Sequence, residues 1–104
     1  MDDTLQIKSG EKKRVGKTIT HKDDSAVGID TATFIVRDVD ATATQASGNA
    51  TIAGDDTASP DVYGFVDTTT GTWTVGSHYR VIFTVTFDDG EIGIYDRPIE
   101  IITA

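Results

Sequence analysis

The chain has 104 residues, no cysteine and a formal net charge of −8, with a sequence pI near 4.4. A single domain of that length buries roughly 60 to 70% of its unfolded surface and folds without a metal or a disulfide, and the lack of cysteine excludes disulfides, zinc-thiolate sites and iron-sulfur clusters. The acidity argues against nucleic acid as a partner. No apolar run reaches the roughly 18 residues of a membrane span, and the acidic start does not read as a signal peptide. The expectation is one soluble domain over 1–104, assembled in a reducing cytoplasm.

Charge is unevenly placed. Lys8, Lys12, Lys13, Arg14, Lys17 and Lys22 crowd the first part of the chain, while Arg37, Arg80 and Arg97 are the bases beyond it. In chain order, "TLQIKS" predicts a first strand with Leu5 and Ile7 inward, and "GEKK" turns it into "RVGKTITHK", where Val15 and Ile19 share a face. A polar loop leads to "TATFIVRD", with Ala32, Phe34 and Val36 inward. "VDATATQASG" reads as a segment turning over the sheet end before a short strand around Ile52. "DVYGFVD" is a strand with two competing inner faces, Val62 with Val66 or Tyr63 with Phe65.

The firmest element comes last. Tyr79, Val81, Phe83, Val85 and Phe87 alternate with polar or outward residues, and Asp89-Gly90 suits a two-residue type I′ turn. That register sets Phe87 beside Ile92 and Val85 beside Ile94 on the core face. It then requires a one-residue bulge near Tyr95, Asp96 and Arg97 to return Ile99 and Ile101 inward, with Pro98 at the interruption. Seven short strands with turn signals about every 8 to 12 residues predict an all-β, antiparallel, Ig-like β-sandwich.

No catalytic motif emerges. His21 and His78 lack a nucleophile or acid at motif spacing. The acidic doublets Asp2-Asp3, Asp23-Asp24, Asp55-Asp56 and Asp88-Asp89 read as turn residues ahead of calcium ligands, because no spaced acidic loop is present. Trp73 with Tyr63, Tyr79 and Tyr95 offers an aromatic platform for sugar, against which the ordinary role of Trp73 is core or rim. No cofactor is implied. The surface that stands out is the outer face of the hairpin sheet. There Ile35 falls beside Ile82, with Thr84 and Tyr95 around them, as a candidate protein interface joined by the basic Lys12, Lys13 and Arg14.

"LQIKSGEKKRVGKTIT", "ATFIVRD" and "GSHYRVIFTVTFDDGEIGIYDRPIEIITA" resemble small Ig-like virion proteins of tailed bacteriophages and prophages, such as the N-terminal domains of baseplate upper proteins. Gly76, Tyr79 and Asp89-Gly90 carry the resemblance, Tyr79 standing where Ig sandwiches place a corner tyrosine. It implies a non-catalytic structural subunit of a virion, whose partners are other virion proteins and copies of itself, without nucleic acid or membrane. A carbohydrate-binding or adhesin-type module is the alternative.

Overall fold

A computed structural model of the chain describes residues 4–19, 28–39, 44–53 and 61–103. Eight strands run β1 (Leu5–Lys8), β2 (Lys12–Thr18), β3 (Ile29–Asp38), β4 (Thr44–Asn49), β5 (Thr51–Ala53), β6 (Asp61–Asp67), β7 (His78–Phe87) and β8 (Ile92–Ile102). They form a five-stranded sheet ordered β1-β8-β7-β3-β4 and a three-stranded sheet ordered β2-β6-β5. The β-sandwich expected from the strand pattern is what the chain adopts.

Alternation sets the core. Tyr79, Val81, Phe83, Val85 and Phe87 of β7 are buried, as are Ala32, Phe34 and Val36 of β3, and they pack against Val15, Val62 and Val66 from the other sheet. The ambiguity in β6 resolves in favour of the valines, which leaves Tyr63 and Phe65 on its outer side. Tyr79 does act as a corner residue: its hydroxyl accepts the Thr74 N–H at 3.2 Å, and its ring packs edgewise on Trp73, with centroids 5.0 Å apart.

Three details differ from the expected topology. The first two strands do not share a sheet: β1 pairs in parallel with β8 through Leu5–Ile99 to Lys8–Ile102, while β2 pairs with β6. The crossing is made at Gly10, whose φ of 87° is open to glycine without strain. The segment before Ile52 is a strand of its own, β4, paired with β3. Its chain changes sheets at Ala50, whose N–H donates to the Ala32 carbonyl at 2.9 Å.

The third difference is in the hairpin. Phe87 N–H donates to the Glu91 carbonyl, and Gly90 N–H to the Phe87 carbonyl, both at 2.9 Å. Gly90 has a φ of 88°, so the loop is Asp88-Asp89-Gly90 with a left-handed last residue, one residue longer than the expected type I′ turn. That extra residue moves the parity change from mid-strand to the turn. Thr86 lies opposite Ile92, Thr84 opposite Ile94, Val81 opposite Arg97 and Tyr79 opposite Ile99, with no shift of register along β8. Ile99 and Ile101 are fully buried, as expected, but Ile92 and Ile94 point outward and are 62% and 71% exposed.

Candidate functional site

The same parity places the residues of the predicted interface. Ile35 and Ile82 are direct cross-strand partners, half-buried on the outer face of the larger sheet, and Thr84 sits there between Thr33 and Ile94. Tyr95 does not join them. It lies opposite Phe83 on the inner side of β8, its ring over Gly93, where a Cβ would come within 2.7 Å. Lys12 and Arg14 project from the outer face of the smaller sheet, on the other side of the sandwich, and Lys13 alternates away from them with its Nζ 4.0 Å from Glu11 Oε1. The outer face missed by the sequence reading is the Ile92–Ile94 pair, hidden by the length of the turn.

A second feature was not foreseen. On the open side of the sandwich, where β2 of one sheet passes β8 of the other, an open cleft of about 470 Å³ is lined by Arg14, Gly16, Lys17, Thr18, Asp61, Tyr63 and Arg97. Gly16 makes its floor: a Cβ there would lie 2.9 Å from Tyr63 Cβ and 3.1 Å from the Val62 carbonyl oxygen. The Arg14 guanidinium stacks on the Tyr63 ring, 3.7 Å from its centroid, which leaves the rim of the guanidinium available to acceptors. Tyr63 in turn meets Phe65 edge-on, and Lys12 lies 5.4 Å above the Phe65 ring.

Arg97 enters from β8. It faces inward at a sheet edge, and one terminal nitrogen donates to the Gly16 carbonyl at 3.0 Å. Its Nε is buried and has no hydrogen-bond partner among the described residues. Lys17 Nζ donates to the Asp96 carbonyl at 3.4 Å. None of Arg14, Lys17 and Arg97 forms an ion pair among the described residues. Asp61, the one carboxylate in the lining, accepts from the Thr18 hydroxyl at 2.6 Å. Three cations without an ion pair among the described residues therefore line one cleft in a chain of net charge −8.

The other sequence candidates resolve as follows. Trp73 Nε1 donates to the Thr70 carbonyl at 2.8 Å, and with its ring against Tyr79 it is a rim residue rather than part of an aromatic platform. His78 Nε2 lies 3.8 Å from Glu100 Oε2 at the surface. His21 and the doublets Asp2-Asp3, Asp23-Asp24 and Asp55-Asp56 lie outside the described residues. Asp88-Asp89 forms the hairpin loop, and among the described residues no three His, Cys, Asp or Glu side chains group as metal ligands.

No family model and no curated protein matches the chain. Among solved structures it is similar to CopC from Methylosinus trichosporium OB3b, with a TM-score of 0.59 and 16% identity, over 98% of this chain and 86% of that one. At that identity the likeness is one of fold. It is a likeness to CopC and not to a virion subunit, and with it the expectation of a tailed-phage structural protein falls.

Proposed function

We propose that this chain is a non-catalytic binding domain whose cleft between β2 and β8 holds a small molecule bearing a carboxylate or a phosphate. The observation that supports it is the convergence of Arg14, Lys17 and Arg97, unpaired among the described residues, on one concavity of an otherwise acidic protein. Guanidinium and ammonium groups donate hydrogen bonds and cannot accept them, so the complementary ligand presents oxygen acceptors and negative charge. A volume of about 470 Å³ falls in the usual range of small-molecule sites. Asp61, held by Thr18, sets a limit on how far an anion extends along β2.

The test is isothermal titration of the full chain with inorganic phosphate and, separately, with succinate. Saturable binding of one of them identifies which oxyanion the cleft prefers. Arg14→Gln and Lys17→Gln are each expected to weaken it about tenfold, the worth of one charge-assisted hydrogen bond. Absence of binding by both anions, or binding indifferent to both substitutions, contradicts the reading.

A further inference from the structure

We infer that the molecule held in the cleft carries a flat aromatic ring beside its oxyanion, and that the ring lies on the open face of Arg14, next to Phe65. The inference rests on the anion reading of the cleft and adds the second half of the ligand. In the β2–β6 ladder Arg14 stands directly opposite Phe65, and Gly16 opposite Tyr63. The Arg14 side chain nevertheless leans one step along the ladder, so that its guanidinium lies over Tyr63, 3.7 Å from the ring centroid. Gly16 leaves room for that lean, because it sets no side chain against Tyr63, where a Cβ would lie 2.9 Å from Tyr63 Cβ.

A guanidinium is planar and stacks on either face. Tyr63 takes one face. Arg14 is exposed, and among the described residues its guanidinium has no further ring contact, hydrogen bond or ion pair, so the second face is open. A planar ring placed there extends the Tyr63–Arg14 stack and gains a cation–π attraction of its own. Phe65 supplies a neighbouring apolar surface. Its ring stands perpendicular to that of Tyr63, with centroids 6.1 Å apart, and it is 50% exposed, with Lys12 above it at 5.4 Å. Lys17 and Arg97 meanwhile bond main-chain carbonyls along the β8 border of the cleft, so the cations for an oxyanion and the surfaces for a ring are neighbours. A bare phosphate leaves Phe65 and the second Arg14 face in water; a ring bonded to the oxyanion covers them.

Phenyl, cyclohexyl and methyl phosphate separate charge, apolar area and flatness, and benzoate, cyclohexanecarboxylate and acetate repeat the series on a carboxylate. In isothermal titrations of the full chain, the aryl compound should bind about tenfold tighter than the methyl one, through apolar burial and stacking together. It should bind about threefold to fivefold tighter than the cyclohexyl compound, which matches it in size and lacks the π face. Phe65→Leu, and Arg14→Lys, which keeps the charge and loses the plane, should each bring the aryl-to-cyclohexyl ratio close to one. Equal affinity for the aryl and cyclohexyl compounds, or a ratio that either substitution leaves unmoved, would overturn the inference while the anion cleft stands. Absence of binding in both series would overturn the reading of the cleft itself, and the inference with it.

Discussion

Arg97 reaches from one sheet of the sandwich to the other and donates to the Gly16 carbonyl at 3.0 Å. The bond joins the two strand edges that border the cleft, so Arg97 serves both as a cleft cation and as a tie between sheets. Its substitution should therefore differ from that of its neighbours. Arg97→Gln should lose anion binding and also lower the melting temperature, whereas Arg14→Gln, whose guanidinium stacks on Tyr63 and makes no hydrogen bond or ion pair among the described residues, should lose binding at nearly unchanged stability.

Phe34 packs directly over Gly64 across the core. A Cβ on Gly64 would lie 2.5 Å from both Cδ1 and Cε1 of the Phe34 ring, which is itself buried. Gly64→Ala is expected to destabilise by about 1–3 kcal/mol, the range for overpacking a well-filled interior. Adding Phe34→Leu should recover part of that loss, because the two changes share one space. Urea denaturation of the single and double variants measures both effects.

Thr68 is the buried polar residue that fixes the β1–β2 crossing. Its hydroxyl donates to the Glu11 carbonyl at 2.7 Å and accepts the Gly10 N–H at 2.9 Å. Thr68→Val keeps the shape and removes both bonds, leaving the Gly10 N–H without its partner in a part-buried place, while the Glu11 carbonyl keeps the Thr68 main-chain N–H at 3.1 Å. A loss of about 1–3 kcal/mol is expected, read from the same denaturation curves.

Asp67 is the described residue whose acidity the fold clearly changes. Hydrogen bonds from the Thr69 hydroxyl and then the Thr69 main-chain N–H hold its carboxyl below the ordinary aspartate range, with Lys12 adding a smaller electrostatic pull. A depressed folded value means that its contribution to stability is present above the unfolded pKa and is lost as pH falls through the folded one. Thr69→Val should move the Asp67 titration up toward the ordinary value, followed by NMR of the side-chain carboxyl; an unmoved titration would assign the shift to another cause.

How far the fold was legible follows from how each strand is buried. β7 alternates without interruption because one side faces the core along its whole length, and its inner residues were read correctly. β4, "TQASGN", carries no such pattern since most of it is exposed, so periodicity had nothing to report. The hairpin misled because "DDG" satisfies both a two-residue and a three-residue turn, and a difference of one residue inverts every side chain that follows. Ile99 and Ile101 did signal the final parity. A longer turn accounts for it in one step, without a bulge at Arg97. The cleft was not legible at all, since Arg14 and Lys17 meet Arg97 only after the two sheets stack, and no spacing along the chain announces that meeting.

The central proposal is tested most directly by titrating inorganic phosphate and succinate into isotope-labelled protein and following the amide resonances. If the cleft binds the anion, saturable shifts should concentrate at Gly16, Lys17, Thr18 and Arg97 and should weaken as salt is raised. Shifts absent from those four residues, or spread evenly over Lys8, Lys12 and Lys13 as expected of diffuse charge, would contradict it.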